Sequence, residues 1–330
     1  MTRVAVIDIG TVTARLAVSD VEGGRVTRLA KHSEIVNLGE GVDATGRLAE
    51  AAMGRVFACV RGYVQSAREA GAQAVVCTLT SAARDAQNSR EFVGALESLG
   101  LAPQVIPGRI EGELTFLGVA QDFGNKRILV ADNGGGSTEL ALGRLAADGL
   151  HMDFVRSEQV GCRRLTERFL SRQDPPSRED LEAAHEYAAS VFGPTVAEGG
   201  LAAGGAEAPE RLVVTGGTVT TLVAIDAALD PYDPAYVHLH ELDAATVEAL
   251  ERRLAALPVA ERAKLPGIQA KRAPVILGGA VAISELMRAT GFDELTVSES
   301  DLLFGLSLCE AAAFDGGEAP LPWRPDIALL

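Results

Sequence analysis

The chain repeats itself. Residues 3–17 read RVAVIDIGTVTARLA, residues 127–141 read RILVADNGGGSTELA, and the two align without a gap. Arg3 meets Arg127, Asp8 meets Asp132, Gly10 meets Gly134, Thr13 meets Ser137, Leu16 meets Leu140 and Ala17 meets Ala141. Each copy reads as a buried-type strand with an acid at its end, a glycine-rich turn carrying hydroxyls, and a second strand. Two such hairpins in register predict two related α/β domains built on one plan. At 330 residues there is room for two cores.

The turns suggest what they hold. Glycine lets backbone N–H groups come close to an anion, and hydroxyls add donors. Gly10, Thr11 and Thr13 in the first turn are therefore candidate phosphate-binding residues, as are Gly134, Gly135, Gly136, Ser137 and Thr138 in the second. One hairpin alone is equally a tight turn that needs glycine and an aspartate cap. Two with acids at the same point favour phosphate. The acid cannot itself meet a phosphate, but it can hold Mg²⁺, which bridges to phosphate oxygens. A third turn, Gly216-Gly217-Thr218, reads as strand, turn, then a helix opening at Thr220 or Thr221. N–H groups at that opening hold a further phosphate or polar ligand, or the glycines serve close packing.

Two stretches between the repeats carry charge at strand ends. In VVCTLTSAARDAQN a strand runs into Thr80-Ser81 and a short helix with Arg84, which points to phosphate or pairs with Asp85 at the surface. In VIPGRIEGELTFLGVA a strand and a Pro-Gly turn precede a helix carrying Glu111 and Glu113. Two residues apart is about 200° around a helix, so both cannot face one site. Glu111, near the helix start, is the candidate for chemistry, and Glu113 is expected to be solvated.

The remaining composition excludes several classes. A net charge of −15 argues against broad nucleic-acid or membrane-surface binding. No apolar run is long enough to span a bilayer, and the N-terminus runs straight into a strand with no leader-like segment. Cys59, Cys77, Cys162 and Cys309 have no C-x-x-C spacing and read as thiols of a reducing cytoplasm. The five histidines stand beside no serine motif. His238 and His240 in HLH fall on one side of an extended segment, a spacing a metal could use, but a structural or surface role is favoured.

VIDIGTVTARL, TSAARDAQN, EGELTFLGV, DNGGGSTEL, GCRRLTERF, TGGTVTTL and DELTVSESDLLFG together resemble the Ppx/GppA family of exopolyphosphatases and guanosine pentaphosphate phosphohydrolases. That family belongs to the actin, sugar-kinase and Hsp70 superfamily. GEGVDATGRL and the length are similar to short actinobacterial-type members. The resemblance implies two ribonuclease-H-like (actin-like ATPase) domains with mixed sheets flanked by helices, a cleft between them, and a chain end that returns to complete the first. We expect residues 1–120 plus 306–330 in the first domain and 121–305 in the second.

By the resemblance, Glu111 is the general base that activates water, and Arg84 is a catalytic cleft arginine that neutralises phosphate charge. Asp132 and Glu139 hold Mg²⁺, with Mn²⁺ as an alternative. Arg15 and Arg272 join the three turns in binding phosphate. The implied activity is release of terminal orthophosphate from inorganic polyphosphate. The alternatives are 5′-phosphate hydrolysis of guanosine pentaphosphate and a regulatory binder that has lost turnover. Val12, where the family has asparagine, is the main argument for the last. A homodimer is expected. The tail FDGGEAPLPWRPDIALL docks on the core or on a second subunit.

Overall fold

The computed structural model describes all 330 residues. It divides into two compact units. One is Met1–Asp122, Leu145–Leu150 and Leu302–Leu330; the other is Phe123–Arg144 and His151–Asp301. Each contains one six-stranded mixed sheet flanked by helices.

In the first unit, β1 (Thr2–Ile9), β2 (Thr13–Glu22) and β3 (Arg25–Ile35) form an antiparallel meander. The chain then crosses over through the helix Glu50–Glu69, and β4 (Ala74–Leu79) lies parallel to β1 on its other side. β5 (Pro103–Val105) adds parallel to the end of β4. This is the ribonuclease-H-like order that the sequence predicts. The hydrophobic pattern explains why β1 is central. Ala5, Ile7 and Ile9 join the core under the helix Glu50–Glu69, while Val4 and Val6 join the core on the opposite face. Side chains alternate between faces of a strand, so an unbroken apolar run needs cover on both. The second cover is formed by the helices Gly108–Ala120 and Leu302–Phe314, which pack so closely that a Cβ on Gly305 would lie 1.9 Å from the Leu114 carbonyl oxygen.

The second unit repeats the plan. Its meander is β6 (Ile128–Asn133), β7 (Thr138–Ala146) and β8 (Gly149–Glu158). β9 (Arg211–Thr215) lies parallel to β6, β10 (Glu241–Asp243) is the edge, and β11 (Glu294–Ser298) lies between them, parallel to β9. The glycine- and alanine-rich stretch after Gly199 joins a helix to β9. In the first unit β12 (Ile327–Leu329) pairs antiparallel with β4, and Leu321 is buried. The tail thus docks on its own core.

Two buried ionic features stand out. The Glu310 carboxyl is fully buried beneath the first sheet, near the β1 and β4 backbone at Ala5 and Val76, and burial pushes its pKa well above the usual range. His185 instead bridges Glu251 (2.9 Å) and Glu285 (2.6 Å), joining three helices of the second unit. Its hydrogen bonds to Glu251 and then Glu285 raise its pKa to about 9. A histidine raised in this way stabilises the fold fully below its unfolded pKa of about 6.5 and loses that contribution as pH rises through 9. His185→Leu leaves the buried Glu251 carboxylate without its cation, while Glu285 keeps Arg288, and is expected to cost about 3 kcal/mol. In urea titrations the difference between wild type and variant should shrink from pH 6.5 to 9. A difference that stays constant over that range would contradict this role.

Candidate phosphate and metal sites

The two hairpins match in detail. Gly10 N–H donates to the Thr13 carbonyl at 2.8 Å, and Gly134 N–H donates to the Ser137 carbonyl at 3.0 Å. A Cβ on Gly10 would sit 3.3 Å from the Thr13 carbonyl oxygen, and one on Gly134 would sit 3.2 Å from that of Ser137. Part of the demand for glycine is therefore internal: the hairpin's own carbonyl fills the space.

Side chains at matching positions then diverge. On the first hairpin Asp8 lies opposite Arg15, whose guanidinium donates to its carboxylate at 2.7 and 3.0 Å, while Thr78 donates to the other oxygen at 3.2 Å. On the second hairpin Asp132 lies opposite Glu139. Asp132 is 7% exposed and Glu139 is 2% exposed. Glu139 Oε1 accepts from Ser137 at 2.8 Å and from Ser157 at 2.6 Å. Like charges opposite one another across a ladder repel. A bound cation would relieve that repulsion; in the first copy the position opposite the aspartate carries an arginine instead. No group of three His, Cys, Asp or Glu side chains gathers to hold a metal. Two carboxylate donors nevertheless suit Mg²⁺, which keeps waters and completes its shell with substrate phosphate.

The second turn is pinned from behind. Cys162 N–H donates to the Gly134 carbonyl at 3.0 Å, and Arg163 N–H to that of Gly135 at 2.8 Å. Arg164 Nε donates to that of Gly136 at 2.7 Å. A Cβ on Gly161 would meet Gly135 carbonyl carbon and oxygen at 2.5 Å. The sequence identified GCRRL as part of the family pattern but gave no sign that it braces this loop. Thr138, in the buried end of β7, accepts from Asn133 at 2.9 Å and donates to the Val160 carbonyl.

The third turn opens the helix Gly217–Asp226, which starts three residues earlier than the sequence suggested. Gly216 has φ 107°, and a Cβ there would come within 2.7 Å of the Asn133 carbonyl oxygen and 3.2 Å of Asp132 Oδ1. Glycine both supplies the left-handed backbone and keeps the helix start beside Asp132. Arg272 lies against the next residue, where a Cβ on Gly217 would sit 2.3 Å from its Nη1. Thr218 is buried and packs against Gly279.

In the first unit, Glu111 is 7% exposed, and its Oε2 accepts from Arg84 Nη1 at 2.5 Å. Arg84 Nη1 also donates to the Ile106 carbonyl at 3.1 Å. The helix argument correctly separates Glu111 from Glu113, but Glu113 is not solvated. It is buried and paired with Arg109 at 2.8 Å, because the helix Gly108–Ala120 is covered on nearly every side from Glu111 onward. Thr11 Oγ1 in the first turn and Ser81 Oγ at the short helix Ser81–Asp85 are buried without a hydrogen-bond partner. Such hydroxyls suit an anion that brings its own acceptors. The two histidines of HLH do not line up, because Leu239 between them has φ 62°; His238 Nδ1 accepts from Glu299 N–H, and His240 stacks on Tyr236.

Comparison with known proteins agrees with this architecture. Residues 17–308 match the Ppx/GppA phosphatase family. The chain is 35% identical over 324 residues to exopolyphosphatase 2 of Mycobacterium tuberculosis, covering 93% of this chain and 98% of that one. Its fold is similar to the crystal structure of the Aquifex aeolicus Ppx/GppA family member, with a TM-score of 0.77 at 29% identity over 96% of this chain and 99% of the other. It is similar also to an exopolyphosphatase from Cytophaga hutchinsonii, with a TM-score of 0.82 at 26% identity over 96% and 99%. The chain belongs to the Ppx/GppA phosphatase family and is a phosphoanhydride hydrolase.

Proposed function

We propose that the protein is a Mg²⁺-dependent exopolyphosphatase that releases terminal orthophosphate from inorganic polyphosphate. The observation that carries this reading is the divergence of the two hairpins. Asp8 is neutralised by Arg15, whereas Asp132 faces a second carboxylate, Glu139. Bound there, Mg²⁺ would neutralise charge on the phosphoryl oxygens. Backbone N–H groups of Gly135 to Thr138 orient the terminal phosphoryl group. Glu111, held by Arg84, accepts a proton from the attacking water. A new P–O bond forms from that water as the anhydride P–O bond breaks, and the leaving chain keeps the bonding pair. The mycobacterial relative's name supports polyphosphate as the substrate.

A second reading, hydrolysis of the 5′-phosphate of guanosine pentaphosphate, uses the same parts and is favoured by Arg272 beside the third glycine turn. Phosphate release from long polyphosphate, tripolyphosphate and guanosine pentaphosphate, with and without Mg²⁺, tests both. Release from polyphosphate only with Mg²⁺ supports the first reading. Binding of tripolyphosphate with no release from any substrate would overturn it and mark a chain that Val12 has helped to silence.

A further inference from the structure

Three carbonyls of the second turn face one way. That of Gly134 accepts from Cys162 N–H, that of Gly135 from Arg163 and Arg164 N–H at 2.8 and 3.2 Å, and that of Gly136 from Arg164 Nε at 2.7 Å. All these donors belong to the helical turn Cys162–Leu165. In a trans peptide the C=O and the N–H of the following residue point in opposite directions. The N–H groups of Gly135, Gly136 and Ser137 are therefore turned away from that helical turn, as an anion-binding nest requires. The first two carbonyls are held by main-chain donors, which no substitution there removes. The third is held by a side chain. The first turn shows that its shape does not demand one. There the equivalent of Gly136 is Val12, whose carbonyl accepts from Val36 and Asn37 N–H at 2.9 Å each. The equivalent of Gly135 is Thr11, whose carbonyl accepts from Gly39 N–H at 2.8 Å. In the second copy a guanidinium, on a side chain only 8% exposed, takes the place of the main-chain donors at Val12. It brings a full positive charge that a peptide N–H lacks.

We propose that Arg164 is a positioning residue for phosphoryl transfer: it fixes the Gly136–Ser137 peptide with its N–H toward the phosphoryl group, and its charge strengthens that donor. A hydrogen bond from an ionised donor is about twice as strong as a neutral one. Each hydrogen bond also polarises the next along a chain, here from guanidinium to Gly136 carbonyl and from Ser137 N–H to phosphoryl oxygen. Such a donor counts most when charge builds on that oxygen in the transition state. The arginine works from behind the loop, so it needs no contact with the substrate. This inference rests on the reading of the second turn as the loop that receives the terminal phosphoryl group.

Two variants of matching chain length separate the donor from the charge. In Arg164→Gln the amide nitrogen takes the position of Arg164 Nε, so a neutral donor remains. Arg164→Met loses donor and charge together. With Mg²⁺ present, kcat for phosphate release from tripolyphosphate should fall about a hundred-fold in Arg164→Met and about ten-fold in Arg164→Gln, while KM changes less than about three-fold, the larger loss matching removal of one oxyanion donor. Wild-type kcat per folded molecule in both variants, or a loss carried by KM alone, would overturn the proposal. If Arg164→Met does not fold, Arg164→Gln decides, since wild-type kcat there removes the charge from the mechanism. Amide NMR keeps this separate from turnover. On adding tripolyphosphate, the Ser137 amide proton should move downfield in wild type and respond less in Arg164→Gln, which supports the role even in a chain that hydrolyses nothing. A Ser137 amide that does not respond in wild type, or that responds equally in both proteins, overturns it even in an active polyphosphatase.

Discussion

Glu111→Gln is expected to reduce phosphate release by about three orders of magnitude, within the range attributed to general base catalysis, while leaving the thermal midpoint close to wild type. Glutamine has the same shape and keeps an oxygen for Arg84 Nη1, which also retains the Ile106 carbonyl as a partner. The lost property is the negative charge that accepts the water's proton. Glu111 is buried and is gripped by the Arg84 guanidinium at 2.5 Å, so the change acts on the held carboxylate and not on a mobile surface group. Stopped phosphate assays and circular dichroism on the same preparations distinguish loss of chemistry from loss of fold. Wild-type turnover in a folded Glu111→Gln variant would move the base elsewhere. Glu113 is a weak successor, because it is committed to Arg109 on its own helix.

Much of this arrangement was legible in the sequence because its determinants are local. β1 and β6 are apolar runs that end in an acid, and a tight glycine turn follows each. The repeat places Asp8 and Asp132 at equivalent points before any contact is known. Long-range contacts were hidden. β3 is an exposed edge strand with charges on four of its eleven positions and exposed residues on both faces, so it has no clear alternation to detect, yet it pairs with β2 along its whole length. The burial of Glu113 depends on cover arriving from the chain's far end, and its own helix shows no polar face there. The approach of Gly161 to Gly135 is a backbone contact between distant segments, which no side-chain pattern records. Leu239 adopts a left-handed backbone that its residue type does not announce, so the HLH pattern was misleading. Arg84 was read as reaching phosphate or pairing with Asp85, and the partner it holds in the structure is Glu111, from another helix.

Asp132→Ala is the second substitution with a large expected effect: a loss on the order of a hundred- to a thousand-fold in phosphate release, comparable to removing a principal electrostatic stabiliser of a transition state. Wild-type activity should disappear in excess chelator and return on adding Mg²⁺. The remaining carboxylate, Glu139, is already shared with Ser137 and Ser157, so it cannot take over both donor positions. Removing Asp132 also relieves its opposition to Glu139 across the ladder. Phosphate release should therefore fall far more steeply than the thermal midpoint, and that separates a functional acid from a structural one. Asp8→Ala provides the contrast on the equivalent strand. It removes the buried carboxylate that Arg15 and Thr78 both contact, so its first effect should be a lower thermal midpoint. Full wild-type activity in chelator would sink the metal assignment. A destabilised Asp132→Ala protein with Mg²⁺-independent activity would show that this acid, like Asp8, serves the fold.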